Sequence, residues 1–243
     1  MNNDINVIEE TGKRYNEIIF GEDYIPKNVY AHQIRLRDDI IDRCIFNKKF
    51  KNSLDFGCGT GFHLNTLRKY SENLIAIDLS IGALKEAKKK FNCEYIACDI
   101  KRLPFKEDSF DFIWIAGVLH HMPNDLDKVI YKISSILRMD GLILIDEPNR
   151  LNPFNTVNMK ISKADPTGKE RPLSLRKIES LLLINNFLLL ESDVYELFSP
   201  IGILFKSSFI LNLCGLLDKF INRTLLKPFL LRWYIFAVHI KKS

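Results

Sequence analysis

A chain of 243 residues, 47% of them hydrophobic, holds enough apolar material for one large folded unit or one unit with an appendage, which excludes a disordered polypeptide. The net charge of +5 is concentrated: between Phe198 and Ser243, Lys206, Lys219, Arg223, Lys227, Arg232, Lys241 and Lys242 face the single acid Asp218, so the rest is near balance and a nucleic-acid partner is not expected. The five cysteines, odd in number and without C-x-x-C spacing, argue against a disulfide framework and a zinc site, and the N-terminus lacks the basic-then-apolar layout of a secretory signal, so a cytoplasmic location and no metal are expected.

Residues 1–50 carry two short helical patterns, the second over Tyr30 to Cys44 with Ile34, Leu36, Ile40 and Ile41 at helical spacing. The run Leu54-Asp55-Phe56-Gly57-Cys58-Gly59-Thr60-Gly61 follows, an apolar strand ending in three alternating glycines. Glycine allows positive φ and removes the Cβ that would hold a ligand off the main chain. Phe62 to Tyr70 reads as a helix, so strand, turn and helix N-terminus make a nucleotide-binding corner. The spacing is G-x-G-x-G rather than the dinucleotide G-x-G-x-x-G, which disfavours a dehydrogenase. Asp55 would repel a pyrophosphate but suits an ammonium or sulfonium charge.

The stretch Asp55 to Gly61 resembles the first motif of the class I S-adenosylmethionine-dependent methyltransferases. The resemblance implies a Rossmann-like sheet of seven mostly parallel strands with an antiparallel last strand, helices on both faces, and S-adenosylmethionine as cofactor against Asp55, Gly57, Cys58, Gly59 and Gly61. Asn73 to Asp78 reads as a second strand, with Asp78 expected on the ribose and Leu79 beside it; the bland alternative is that Asp78 caps the helix Ser80 to Phe91, a job Ser80 could do instead. Cys93 to Cys98 is a third strand, and the resemblance places Asp99 and Ile100 on the adenine. The wording Leu103-Pro104-Phe105, then Phe110-Asp111, is similar to the L-P-F-x-x-x-x-F-D of the branch acting mostly on small molecules.

A fourth strand ends at Ala116-Gly117, also expected on the cofactor, and runs into Val118-Leu119-His120-His121, where the reacting centre should lie. His120 or His121 could take a proton from the acceptor, His121 being preferred, while the other packs or caps the next helix. That helix is predicted over Asp125 to Arg138, ended by Asp140-Gly141, before a fifth strand over Leu142 to Asp146. Residues 50–147 thus alternate strand and helix, as a parallel sheet covered on both faces requires.

A breaker-rich loop from Glu147 to Pro172 should shape the acceptor pocket, and a sixth strand is read over Phe187 to Tyr195. Roughly 35 residues then stand where the resembled fold has a hairpin, far beyond an ordinary connection. This apolar, basic helical insertion, bounded at 199–229, could be a helical cap or homodimer surface, or an interfacial membrane anchor; Lys206, Asn212, Lys227, Pro228 and Arg232 interrupt it too often for a membrane span. The last strand is read over Arg232 to Lys242. In similar methyltransferases the N-terminal segment is a lid, which makes Tyr15, Tyr30 and Arg35 candidate contacts.

The expected organisation is a lid (1–50), a cofactor-binding domain (51–198 with 230–243) and the insertion. The expected activity is methyl transfer from S-adenosylmethionine to an O, N or C nucleophile of a small, hydrophobic or lipid-linked acceptor, with the protein either cytoplasmic or peripheral on the inner face of a membrane. The rivals are an RNA (tRNA) methyltransferase, which would want interleaved basic and aromatic residues at the pocket mouth, and a non-catalytic cofactor-binding relative.

Overall fold

The computed structural model describes residues 27–100, 102–161, 169–196 and 208–240. Helix α1 (Lys27–Cys44) leads into β1 (Phe50–Phe56), α2 (Leu64–Arg68), β2 (Ser71–Asp78), α3 (Ile81–Lys90) and β3 (Glu94–Ala97). The chain continues through β4 (Phe110–Ala116), α4 (Leu126–Ile136), β5 (Leu137–Pro148), α5 (Pro153–Ile161) and α6 (Leu175–Ile184). Strand β6 (Phe187–Tyr195), α7 (Ser208–Ile221) and β7 (Arg232–His239) complete it. The first N-terminal helical pattern with Tyr15, and residues 199–207 of the insertion, lie outside the described residues.

The strands form one seven-stranded sheet in the order β3-β2-β1-β4-β5-β7-β6. The pairings from β3 to β5 are parallel, as the strand and helix alternation predicts, and β7 is antiparallel, as the resemblance implies; it lies between β5 and β6. Because side chains alternate across a strand, β1, β4 and β5 feed both faces. Leu54, Phe56, Ile113, Ile115, Ile143 and Ile145 pack on one side with α4 and α6, whose Val129, Ile130, Ile133, Ile178 and Leu182 are buried at helical spacing. On the other side Phe112, Trp114, Leu142 and Leu144 meet Ile40 and Ile41 of α1, Leu64 and Leu67 of α2, and Leu84 of α3.

Helix α4 stops two residues short of the sequence boundary. Leu137 is already extended and paired with Phe110, and the Arg138 guanidinium lies 2.6 Å from the buried Asp111 carboxylate, so the neighbouring strand captures the chain early. Asp140, at φ +61°, and Gly141 then form an irregularity within β5, after which pairing resumes at Leu142.

Helix α1 is fastened across its face of the sheet by polar contacts. Asp38 Oδ1 lies 2.9 Å from His63 Nδ1, Tyr70 donates to Asp42 at 2.8 Å, and Arg43 donates to the Tyr234 hydroxyl at 2.7 Å. The innermost link is Arg37 Nε to Asp146 Oδ1 at 3.0 Å. Asp146, without solvent exposure, also accepts from Arg232 Nε at 2.8 Å, from Arg232 Nη2 and from the Tyr195 hydroxyl. Burial alone would raise its pKa, but Arg232 and Arg37 outweigh burial and hold it below the usual carboxylate range.

Removing the charge would strand two nearly buried guanidiniums. Asp146→Asn is therefore expected to lower unfolding free energy by about 3–5 kcal/mol in urea denaturation. A carboxyl with a depressed folded pKa stabilises above its ordinary pKa and loses that contribution as the pH falls through and below it. The wild-type advantage should accordingly be full at neutral pH and fade below the ordinary value of 3.8.

Candidate functional site

The expected site residues converge at the carboxyl ends of β1 to β4, where a doubly wound sheet offers its crevice. Asp55 is on β1, Asp78 and Leu79 close β2, Asp99 and Ile100 follow β3, and Ala116 and Gly117 end β4. His120 and His121 lie on a 3-10 turn, Leu119–His121.

The three loop glycines all have positive φ (+78° at Gly57, +53° at Gly59, +80° at Gly61), but for different reasons. A Cβ at Gly57 would stand 2.4 Å from Val118 Cγ2, and one at Gly61 would stand 2.7 Å from Leu64 Cδ1 and 2.9 Å from Phe91 Cδ2. Those two are required by packing against the protein itself. A Cβ at Gly59 meets nothing within 4 Å, so of the three only Gly59 turns bare backbone to open space.

Asp78 holds this loop in place. Its Oδ2 accepts the Gly59 N–H and its Oδ1 accepts the Ser80 N–H, each at 2.8 Å. Ser80 Oγ caps α3 by accepting from Ala83 N at 3.0 Å, so the serine, not Asp78, does the capping. Burial pushes the Asp78 carboxyl up, against the pull of those backbone N–H groups. Asp55 is only 3% exposed and its Oδ2 is buried with no hydrogen-bond partner. Burial and the neighbouring Asp78 charge push its pKa up to about 8. Cys58 is buried beside both acids, and its thiol is pushed up, first by burial.

The chemistry-bearing turn after β4 is organised by a residue the sequence reading passed over. Glu147, with no solvent exposure, accepts from Val118 N at 2.7 Å and Leu119 N at 2.6 Å through Oε1, while Oε2 lies 2.8 Å from His120 Nδ1. His121 Nδ1 lies 2.5 Å from Glu170 Oε1, and the two imidazoles are 4.0 Å apart. Their electrostatics diverge. Burial and the neighbouring His121 charge push His120 down, in spite of Glu147. Burial also opposes charge on His121, but Glu170 outweighs it and the pKa is raised.

The ring of His120 is aimed at the strand end, its Cε1 standing 3.8 Å from where a Gly117 Cβ would be, with Arg232 Nη2 4.0 Å from the same point. The ligand atoms of His120, His121 and Glu170 lie within 4.8 Å of one another, the one trio among the described residues close enough to hold a metal ion. Of the lid candidates, Arg35 is exposed on α1, while Arg37, one half-turn on, reaches the site end of β5. A strand-end position was the available signal for Glu147; Glu170 sits in the breaker-rich loop, where nothing local marks it.

Residues 54–145 match the family model described as a methyltransferase domain. The chain is 31% identical over 140 residues to an uncharacterized methyltransferase of Bacillus mycoides, a match covering 57% of this chain and 64% of that one. It spans between half and two thirds of the length of the curated relatives it matches. Its fold is that of a SAM-dependent methyltransferase from Archaeoglobus fulgidus, with TM-score 0.66 at 18% identity over 90% of this chain and 98% of that one. It is also that of the N-methyltransferase NodS from Bradyrhizobium japonicum in complex with S-adenosyl-L-homocysteine, with TM-score 0.59 at 15% identity over 85% of this chain and 87% of that one. Residues 54–145 thus match a methyltransferase domain, set within the fold of S-adenosylmethionine-dependent methyltransferases.

The two histidines should separate in an NMR titration. His121 is expected to take its proton at higher pH than an ordinary imidazole and His120 at lower pH. Glu170→Gln removes the charge that favours the imidazolium, so the His121 midpoint should fall.

Proposed function

We propose that this domain transfers a methyl group from S-adenosylmethionine to an oxygen, nitrogen or carbon nucleophile on a small apolar or lipid-linked acceptor. The observation that carries the cofactor half of this reading is the orphaned, buried Asp55 Oδ2 beside a loop whose Gly59 opens to empty space. A buried carboxyl without a partner is costly, and a cationic ligand supplies the missing one. Asp78 keeps acceptor capacity on both oxygens for the hydroxyls of a ribose, and Asp99 with Ile100 completes the adenine side.

When bound, the cofactor supplies an already activated methyl group, so the protein's work is alignment and proton removal. Holding two reactants in line contributes about 7–11 kcal/mol toward the barrier. For an acceptor that must lose a proton, we assign the base to His120 rather than the His121 preferred on the sequence. His120 is held neutral, and Glu147 engages its Nδ1, which leaves Nε2 to accept. His121, whose pKa Glu170 raises, positions its neighbour and the turn.

The cofactor reading is tested by calorimetry with S-adenosylmethionine. Gly59→Val and Asp78→Ala should each abolish binding while circular dichroism reports a folded protein. Because the Asp55 pKa lies at about 8, cation binding at pH 7 should expel a proton. Affinity should accordingly rise from pH 6 to 8 and level off above. Proton release, read from the dependence of the heat on buffer ionisation, should vanish in Asp55→Asn along with at least tenfold in affinity. Normal affinity in both Gly59→Val and Asp78→Ala would overturn the site assignment.

A further inference from the structure

The described part of the insertion turns much of its apolar surface outward. Along α7 the inward positions are Ile210, Cys214, Asp218 and Ile221, which include its one acid, buried. The outward stripe is Phe209, Leu213, Leu216, Leu217 and Phe220, with Phe209 77% and Phe220 69% exposed. A helix on a protein surface ordinarily does the reverse. Past the helix the apolar exposure continues through Leu225, 96% exposed, Leu226 and Phe229.

A second exposed apolar group stands beside it on the acceptor loop, at Leu151, Phe154 and Val157. The two groups are locked together by three asparagines spaced three apart. Asn149 Nδ2 donates to the carbonyls of Pro228 (2.9 Å) and Leu230 (2.7 Å). Asn152 Nδ2 donates to Phe229 O and Asn155 Nδ2 to Leu231 O, both at 2.6 Å. The result is a rim of two segments fixed to the end of β5, immediately after Asp146 and Glu147.

Charge selects what covers this rim. Residues 149–161 contain Arg150 and Lys160, both exposed, and no acid; residues 208–231 contain Lys219, Arg223 and Lys227 against the buried Asp218. Lys227 is engaged with Asp193 at 2.6 Å, but Arg223 and Arg150 project into solvent among the apolar side chains. A greasy face whose solvent-facing charges within residues 149–161 and 208–231 are basic complements a bilayer with anionic headgroups, whereas a second copy would bring like charge against like. No helix among the described residues is long and apolar enough to cross a membrane, and the 14 residues of α7 span about 21 Å, so the surface lies on the bilayer rather than through it.

We propose that this asparagine-clamped rim docks the domain on an anionic lipid surface with the acceptor side of the site facing the bilayer. The inference rests on the reading of an apolar acceptor given above, and its test is independent of cofactor binding. The full chain is mixed with vesicles of phosphatidylcholine alone or with phosphatidylglycerol, and binding is measured by flotation. Phosphatidylglycerol vesicles should bind at least tenfold more tightly, with the difference shrinking as salt is added. The double variant Leu216→Glu/Leu225→Glu, and separately Phe154→Glu, should each lose at least tenfold in vesicle affinity while S-adenosylmethionine binding by calorimetry stays unchanged. Failure of wild-type protein to float, or full flotation of the variants, would overturn the proposal. So would a dimer by light scattering that the double variant dissociates, since a second copy would then cover the rim. Loss of cofactor binding in wild type with flotation intact would instead strike the proposed reaction and leave the docking surface standing.

Discussion

Two consecutive carboxylates end β5, and neither touches solvent. Side-chain alternation sends Asp146 to one face of the sheet and Glu147 to the other, and an uncompensated charge at either place would cost several kcal/mol. The compensation organises everything around them. Asp146 draws in Arg37 from α1, Arg232 from β7 and Tyr195 from β6, with Glu196 a second carboxylate within electrostatic reach of Arg232. Glu147 takes the amides of Val118 and Leu119 and the ring of His120. The covering helix, the closing strands and the reacting turn are thereby all referred to one strand end, and movement of any of them exposes or unpairs a charge.

The cofactor side is built on a different economy of parts. In the proposed site the backbone itself would be the binding surface, and Asp78 fixes it by accepting from Gly59 and Ser80. Gly57 and Gly61 let the loop lie against Val118, Leu64 and Phe91, which fixes its path; Gly59 alone is left for a ligand. Asp55 beneath the loop is the element not satisfied from within the protein. A rigid loop over an unsatisfied acid is preorganised for a cation, because no hydrogen bond has to be broken at Asp55 Oδ2 when the cation arrives.

The geometry of the proposed cofactor half was legible in the sequence because its signals are local: glycine spacing fixes a turn, and an acid two residues before it or at a strand end stays near it whatever the rest of the fold does. The parallel part of the sheet followed from strand and helix alternation for the same reason. Glu147, Glu170, Arg37 and Arg232 were not legible as partners, since their contacts join residues 27, 49, 109 and 86 positions apart. Nothing in the spacing of such residues distinguishes a buried partner from a surface charge. The end of α4 was misplaced by the same limitation: helical periodicity extends through Leu137, but pairing of Leu137 with Phe110 and of Arg138 with Asp111 overrides it.

The apolar rim follows a further logic. Full burial of a Leu or Phe side chain is worth about 1.5–3 kcal/mol, and the outward stripe of α7 leaves much of that unrealised. The protein could have buried that stripe by rolling the helix, at the expense of turning Asp218 outward and Cys214 with it. Instead the inner face is closed on the core through Ile221, and the segment that follows, with exposed Leu225 and Phe229, is tied by the asparagine clamp to the loop that carries Phe154. A hydrophobic acceptor dissolved in a bilayer is scarce in water, so a soluble site would wait on its desorption. Under the proposed docking, a site whose rim lies in the interface would meet such an acceptor at its membrane concentration, and the energy withheld from folding would become available for that encounter.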